Sequence, residues 1–287
     1  MKKIKVGGVP EHFNYPWHYG IENHYFSKEN INIDWQDIKG GSGAMCKMLE
    51  NDELDLALVL TEGIVKHIHS GSKAKIVQQY VKSPLIWGVH CSNHFYKQQK
   101  SFEQANFARS RVGSGSHIMA FVHAEQNNYR LEEENFITVG NIDGAVEGFN
   151  NKSADLLLWE KFMTQPLIDA GKMRRIGECI SPWPCFVLVA SEKFISENNK
   201  YITPISETII MAAETVMKKQ NTVKEISERY KLELNQVEQW YSIVEWQTSD
   251  WISSKMLNNV VTTLTRVGLL QEQLKPENMC LKNAKLY

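Results

Sequence analysis

The fold of this chain is decided by the stretch Arg111-Val-Gly-Ser-Gly-Ser-His117, which continues into Ile118-Met-Ala-Phe-Val-His-Ala124. The pattern predicts the end of a short strand, a Gly/Ser turn and the first turns of an amphipathic helix. Either Ser114 or Ser116 can cap that helix, and unpaired backbone N–H groups at its start would direct the positive end of the helix dipole toward a ligand. Such turns are common before helices, so this turn alone does not indicate a ligand site. The rest of the chain has to support that interpretation.

The same order of strand, Gly/Ser turn and helix occurs earlier in the chain. A strand-like run over Ile31–Asp37 is followed by Ile38-Lys-Gly-Gly-Ser-Gly43 and by a helical pattern over Ala44–Leu49. Two such copies predict two α/β lobes, each offering a helix start to a shared cleft.

A second pair of segments supports two lobes. Leu54-Asp-Leu-Ala-Leu-Val-Leu60 and Ala154-Asp-Leu-Leu-Leu-Trp159 are apolar runs of the kind that parallel sheets bury on both faces. The first is followed by Thr61, a candidate helix N-cap, and by Glu62, either a carboxylate at the cleft or a partner of the helix dipole. Asp143, which follows a predicted strand over residues 134–139, is another candidate N-cap. Trp159 is either the floor of a site for a flat ligand or part of the core.

Prolines mark two predicted crossings between the lobes. Lys82-Ser-Pro84 separates a strand over residues 74–81 from another over 85–90, because proline cannot continue a central ladder. Ser181-Pro-Trp-Pro184 precedes the strand that returns to the first lobe. We therefore predict a first lobe of residues 1–88 plus 186–287, whose helical C-terminal tail packs on it, and a second lobe of residues 89–185.

Polar and aromatic side chains follow the first predicted strand, Lys3–Val9. In an open α/β sheet, residues just beyond the carboxyl end of a strand lie where ligands bind. Glu11, His12 and Phe13 are therefore candidate site residues, and the alternative is an exposed loop fixed by Pro10 and Pro16.

Composition excludes several classes of function. The 287 residues carry a formal net charge of -1 and no basic stripe, so we expect no nucleic-acid partner. There is no run of eighteen apolar residues, so no membrane insertion is expected. Five scattered cysteines and nine histidines without metal-ligand spacing predict neither a metal nor another cofactor. Met1–Val9 lacks the apolar segment of a signal peptide, so the chain as written is expected in the cytoplasm, or in the periplasm if a signal peptide has been removed.

Short motifs occur in a fixed order along the chain. They are Pro10-Glu-His-Phe13, Gly41-Ser-Gly43, Leu60-Thr-Glu62, Val81-Lys-Ser-Pro84 with Trp87, Ser110-x-x-Gly-Ser-Gly-Ser116, Asp143-Gly-x-Val-Glu-Gly148, Trp159-Glu-x-Phe162 and Pro182-Trp183. This ordered set is similar to type II periplasmic-binding-protein folds, and more narrowly to the branch of sulfonate-, taurine- and nitrate-binding proteins and of thiamine-pyrimidine-precursor proteins. Within that branch it resembles a group of fungal and bacterial proteins that lack a signal peptide.

The resemblance implies an α/β chain of two lobes with two interlobe crossings, a helical C-terminal tail, and closure around a ligand by hinge motion. It also implies that the ligand is lined by residues from both lobes. Those of the first lobe are Glu11, His12, Phe13, Ser42, Gly43, Thr61, Glu62 and Ser83, and those of the second are Ser114, Gly115, Ser116, His117, Trp159 and Glu160.

The leading functional hypothesis is a small-molecule-binding protein of the ABC-transporter solute-binding type, with a transporter permease as a candidate partner. Three carboxylates, from Glu11, Glu62 and Glu160, would repel a bare anion, so a pyrimidine-like heteroaromatic that stacks on Phe13 or Trp159 is favoured. One alternative is an enzyme related to thiamine-pyrimidine biosynthesis, with His12 or His117 as general base. The chain lacks the Cys-Cys-Cys-Phe-Cys motif of yeast-type pyrimidine synthases, so no catalytic residue is assigned. A ligand-sensing domain is a third reading.

Overall fold

The structure is a computed structural model, and it describes residues 1–98 and 100–287. Contacts between Cα atoms divide the chain into two compact units. The first contains Met1–Ser83, Trp183–Val261 and Glu272–Tyr287, and the second contains Pro84–Pro182 and Thr262–Gln271. Residues 262–271 thus group with the second unit, although they belong to the tail that the sequence analysis placed in the first lobe.

The first unit is built on β1, whose two neighbouring strands, β2 and β3, are both parallel to it. The strand order is β2-β1-β3-β8, and β8 is antiparallel to β3. Gly8 ends β1 at a point where a Cβ atom would lie 2.5 Å from the Trp35 ring, so only glycine fits there. The elements before the first crossing are β1 Lys2–Gly8, α1 Tyr15–Glu22, β2 Ile31–Asp37, α2 Gly41–Glu50, β3 Leu56–Leu60 and α3 Thr61–His69.

The second unit repeats this plan with the strand order β4-β7-β5-β6. Strand β5 is parallel to β6 and β7, whereas β7 is antiparallel to β4. Its helices pack on an apolar core that includes Ala108, Phe149 and Leu157. The elements are β4 Lys75–Cys91, α4 Asn93–Gln98, β5 Phe107–Arg109, α5 Gly115–Gln126, β6 Phe136–Thr138, α6 Ile142–Asn150, β7 Leu156–Glu160, α7 Gln165–Asp169 and β8 Arg174–Ala190.

The long strands β4 and β8 are the segments that pass from one unit to the other. The prediction of two strands broken at Pro84 was wrong, since β4 is continuous. Proline is tolerated there because it is exposed and the neighbouring backbone finds other partners. Lys82 N–H donates to the Glu245 carbonyl at 2.7 Å, and Leu85 N–H donates to Ser181 Oγ at 3.0 Å.

The C-terminal tail is mainly helical. Helix α9 packs against α1 in the first unit, where Ala212 lies beside Gly20, so the predicted packing of the tail on the first lobe is seen for this helix. The tail elements are α8 Glu192–Asn198, α9 Ile202–Lys218, α10 Thr222–Tyr230, α11 Leu234–Tyr241, β9 Trp251–Ile252, α12 Ser254–Arg266, α13 Pro276–Met279 and β10 Lys285–Leu286. None of the helices in the described residues is both long enough and apolar enough to span a membrane.

Two predicted helix caps were wrong. The side chain of Asn141, rather than that of Asp143, accepts from Gly144 N–H at 3.0 Å and begins α6. At α3 the N-cap position is Leu60, and the Thr61 hydroxyl instead donates to the Pro184 carbonyl at 2.7 Å. In both cases the helix begins at a different residue from the one that the local pattern indicated.

Candidate functional site

The carboxyl ends of β1 and β3 meet at one edge of the first unit, because the two strands are parallel neighbours. Beyond β1 the chain places His12 and Phe13, and beyond β3 it places Thr61 and Glu62. All four are buried. The Phe13 ring lies 5.1 Å from that of Phe186, which pairs with Leu60, so this edge is one packed group of residues.

Hydrogen bonds fix the short helical turn His12–Asn14 that carries these side chains. The Phe13 carbonyl accepts from Tyr80 Oη at 2.7 Å and from Trp246 Nε1 at 2.8 Å. Asn14 Nδ2 donates back to the Val9 carbonyl at 2.7 Å. The backbone of this turn is therefore held from both sides, which gives His12 a defined position.

Burial changes the protonation of both ionisable groups on this turn. His12 is 0% exposed, and burial lowers the pKa of its imidazole to about 3, so the ring is neutral at physiological pH. Glu11 as a residue is only partly buried, but its carboxyl group lies deep enough for burial to raise its pKa to about 7. Each group therefore resists carrying charge.

Only one of the two oxygens of the buried Glu62 carboxyl group is hydrogen-bonded within the described residues. Trp183 Nε1 donates to its Oε2 at 2.8 Å, whereas its Oε1 has no hydrogen-bond partner among residues 1–98 and 100–287. Burial raises the pKa of Glu62 to about 7. A hydrogen bond between the carboxyl group and the backbone of Glu62 itself, and the one from Trp183, oppose that shift. Near neutral pH the group can therefore present either a donating O–H or an accepting oxygen to a ligand.

The remaining first-lobe candidates support the edge through their backbone contacts. Ser42 Oγ accepts from Leu60 N–H at 2.8 Å, and Ser83 Oγ accepts from Glu245 N–H at 3.1 Å. Gly43, in the first turn of α2, is partly buried. Each of the two hydroxyls orients a neighbouring segment of main chain.

In the second unit the start of α5 lies at the carboxyl end of β5. Ser114 is its N-cap and accepts from His117 N–H at 3.4 Å, which selects Ser114 over Ser116. Ser116 Oγ instead accepts from Ser110 N–H at 3.0 Å. Gly115 is the first residue of the helix, and both serines are buried.

His117 lies in a buried cluster with Arg109 that the sequence did not predict. Its Nδ1 is 3.0 Å from Gly113 N, and its Nε2 is 3.0 Å from Arg109 Nη1. Because a neutral imidazole accepts at only one nitrogen, only one of these contacts is a hydrogen bond. Arg109 also forms an ion pair with Glu133, whose other carboxyl oxygen is 3.8 Å from His117 Nε2.

Trp159 and Glu160 end β7, which is parallel to β5, so they lie at the same edge as the start of α5. Trp159 is partly buried and packs against the apolar core of the second unit. Glu160 is buried, and its Oε2 accepts from Met163 N–H at 2.6 Å. This bond holds the carboxylate at the turn that follows the strand.

Several residues that shape these edges were missed by the sequence analysis as site residues. Trp183 was noted only as part of the Pro182-Trp183 motif, yet it is the partner of Glu62. Tyr80, Arg109 and Trp246 carried no local signal, because their contacts join segments that are far apart in the chain. Within the part of the chain that the structure describes, no group of three or more His, Cys, Asp or Glu side chains is arranged to hold a metal ion.

Comparison with known proteins identifies this fold. A family model described as "Ca3427-like PBP" matches residues 85–179. The Candida albicans CA3427 gene product, whose structure has the generic periplasmic-binding-protein fold, is 22% identical, with a TM-score of 0.88 over 100% of this chain and 98% of that chain. The chain has the periplasmic-binding-protein fold.

Other solved structures share that fold. The zinc-bound ligand-binding component of an ABC-type import system from Staphylococcus aureus is 13% identical, with a TM-score of 0.77 over 99% of both chains. The alkanesulfonate-binding protein SsuA from Xanthomonas axonopodis pv. citri, bound to MOPS, is 11% identical, with a TM-score of 0.76 over 99% of this chain and 98% of that chain. No curated protein sequence matches this chain significantly. At these identities the periplasmic-binding-protein likeness establishes the fold and leaves the ligand to be argued from the site.

Proposed function

We propose that this chain is a solute-binding protein for a small, uncharged nitrogen heterocycle of the pyrimidine class, with an ABC-transporter permease as the expected partner. The observation that carries the proposal is the buried Glu62 carboxyl group at the carboxyl edge of the first unit. One of its oxygens has no hydrogen-bond partner in the described residues. A buried polar group without a partner is unfavourable by about 1 to 3 kcal/mol, so a ligand that supplies the partner gains that energy on binding.

The ionisation of the buried carboxyl groups disfavours a sulfonate or a nitrate as the ligand. Two buried carboxyl groups of the first unit, Glu11 and Glu62, have pKa values raised to about 7. When these carboxyl groups are ionised, they repel an anion. When they are protonated, their O–H groups can donate to an uncharged acceptor as well as to an anion. A heterocycle with ring nitrogens and an amino group complements either state.

The enzymatic alternative receives less support from these residues. A general base works best when its pKa lies near the working pH, and burial holds the pKa of His12 at about 3. The Nδ1 of His117 lies 3.0 Å from a backbone N–H and its Nε2 lies 3.0 Å from the Arg109 guanidinium, so its ring nitrogens are directed at protein groups.

Isothermal titration calorimetry with 4-aminopyrimidine and methanesulfonate, at pH 6 and pH 8, tests the proposal. We expect 4-aminopyrimidine to bind at both values and methanesulfonate to bind more weakly, with a further loss at pH 8 as the carboxyl groups ionise. The matched variants are Glu62→Gln, expected to remove the pH dependence of methanesulfonate binding that Glu62 causes, and the exposed Glu53→Gln, expected to keep it. Tight methanesulfonate binding without 4-aminopyrimidine binding would contradict the proposed ligand class.

A further inference from the structure

Three aromatic side chains in the first unit form what we call the His12 cluster: His12, Tyr230 at the end of α10, and Trp240 in α11. The His12 ring centroid lies 4.1 Å from that of Trp240 and 6.2 Å from that of Tyr230, both in edge-on geometry. His12 is 0% exposed and Trp240 is 2% exposed. Helices of the tail are thus in direct contact with the turn that follows β1.

The polar atoms of this cluster lack partners. Both ring nitrogens of His12, Tyr230 Oη and Trp240 Nε1 are buried and have no hydrogen-bond partner in residues 1–98 and 100–287. Native proteins satisfy nearly all buried polar groups, so four orphaned atoms on three neighbouring rings require an explanation. A guest molecule that hydrogen-bonds to them is such an explanation.

Two neighbouring residues of the same types have hydrogen-bond partners, whereas a buried indole outside the cluster, that of Trp17, has none in the described residues. Trp246 Nε1 donates to the Phe13 carbonyl at 2.8 Å, and Tyr241 Oη donates to the Val216 carbonyl at 3.0 Å. The Trp246 and Trp240 rings lie 5.6 Å apart, so a satisfied and an orphaned indole occur side by side. Carbonyl groups of Phe13 and Val216 therefore serve Trp246 and Tyr241, whereas Trp240 Nε1 and Tyr230 Oη have no such partner in the described residues.

Charges around the cluster define what it can hold. His12 is neutral, since burial lowers its pKa to about 3. Burial raises the pKa of Tyr230, and the charge of Arg229 opposes that shift while the charge of Asp37 adds to it, so the phenol stays protonated. Arg229, the preceding residue in the chain, forms an ion pair with Glu22. The cluster offers an indole N–H, a phenol O–H and an imidazole with one donor and one acceptor, which suits an uncharged guest that both donates and accepts.

We propose that Tyr230 and Trp240 of the tail, together with His12, are ligand-binding residues, and that they recognise the donor and acceptor edge of an uncharged nitrogen heterocycle. The inference rests on the proposed function and extends it, because it assigns a binding role to helices that the sequence predicted only to pack. The orphaned atoms become hydrogen-bonded when the guest is present.

The test uses two matched pairs of variants of the full chain. Tyr230→Phe and Trp240→Phe remove orphaned groups, while Tyr241→Phe and Trp35→Phe remove groups that are already bonded within the protein, the Trp35 indole N–H to Asp37 Oδ1 at 2.8 Å. We expect each of the first two to weaken 4-aminopyrimidine binding by about 3- to 10-fold, the equivalent of one hydrogen bond, and each of the second two to leave it nearly unchanged. In urea denaturation without ligand the order reverses, and Tyr241→Phe lowers the midpoint more than Tyr230→Phe does.

The outcomes separate the two proposals. Equal affinities for all four variants, with the wild-type protein still binding 4-aminopyrimidine, overturn the role of the tail and leave the proposed function intact. Equal losses of the urea midpoint in Tyr230→Phe and Tyr241→Phe also overturn the inference, because they show that Tyr230 is already hydrogen-bonded in the free protein. Absence of 4-aminopyrimidine binding by the wild-type protein overturns the proposed ligand class and the inference together.

Discussion

At the scale of single residues, the first unit is defined by ionisable groups whose burial opposes their charge. Glu62 and His12 are both almost inaccessible to solvent, and burial raises the pKa of the first to about 7 and lowers that of the second to about 3. The two shifts have opposite signs in the pH dependence of folding. They can therefore be measured separately.

Glu62→Gln should stabilise the protein above pH 7. The carboxyl group has a higher pKa in the folded chain than its ordinary value of 4.5, so the folded state holds the proton more tightly. Stability is therefore lost as pH rises from 4.5 to about 7, and the full penalty remains above that. A glutamine cannot ionise, and the variant should gain roughly 2 to 4 kcal/mol at pH 8, as each pKa unit is worth about 1.4 kcal/mol. Urea denaturation at pH 5 and pH 8 measures this.

The exposed Glu53 provides the control. Glu53→Gln should leave the difference between the two pH values unchanged. A Glu62→Gln variant that is less stable than the wild type at both pH values would show that the carboxylate is stabilising and that its pKa is not raised.

His12→Phe should flatten the acid side of the stability profile. The imidazole has a folded pKa of about 3, against 6.5 for the free group, so the unfolded chain takes up the proton first as pH falls below 6.5. The wild type should lose about 2 kcal/mol between pH 7 and pH 5 through this residue, and the variant should not. The unfolding free energy at the two pH values is the measurement. An unchanged difference in the variant would mean that His12 is charged in the folded protein.

At the scale of elements, the local sequence pattern correctly predicted strands and helix starts that depend only on neighbouring residues. The apolar run Leu54–Leu60 became β3, and the Gly/Ser turn before His117 became the start of α5, capped by Ser114. The pattern failed where distant segments decide the outcome. Strand β4 continues through Pro84 because Glu245 and Ser181 supply partners to the backbone beside it, and no local window contains those residues.

The candidate site divides in the same way. His12, Phe13 and Glu62 could be placed at a strand end because parallel strands bring their carboxyl ends to one edge. Their partners Trp183, Trp240 and Trp246 come from far along the chain, and the local sequence around a tryptophan gives no indication of which group it will contact. The sequence therefore predicted the residues at this edge of the sheet and missed the tryptophans that contact them.

The corrected N-cap of α6 gives a test at this scale. Asn141 Oδ1 accepts from Gly144 N–H, whereas Asp143 lies inside the first turn. Asn141→Ala should destabilise the protein by about 1 kcal/mol, the usual value of a lost cap. Asp143→Ala, the matched variant, should lose only the few tenths of a kcal/mol of a charge near a helix start. The comparison uses thermal or urea denaturation, and a larger loss in Asp143→Ala would restore the cap that the sequence suggested.

At the scale of the whole molecule, the periplasmic-binding-protein fold supplies two units with similar plans, and each brings a helix start and a strand end to one edge. In the first unit that edge holds buried groups that lack partners, which is a costly arrangement for a protein that binds nothing. The proposal that residues of both units contact the same ligand, with hinge closure, comes from the sequence resemblance. It adds to the central claim, which is that the chain binds a small uncharged molecule.

Mass spectrometry of the small molecules released from the purified protein, under native and then denaturing conditions, tests that claim most directly. We expect one uncharged nitrogen heterocycle in about stoichiometric amount in the wild type, and a reduced amount in the Tyr230→Phe variant relative to Tyr241→Phe. A stoichiometric sulfonate, or a wild-type protein that carries no small molecule and whose melting temperature is not raised by 4-aminopyrimidine, would contradict it.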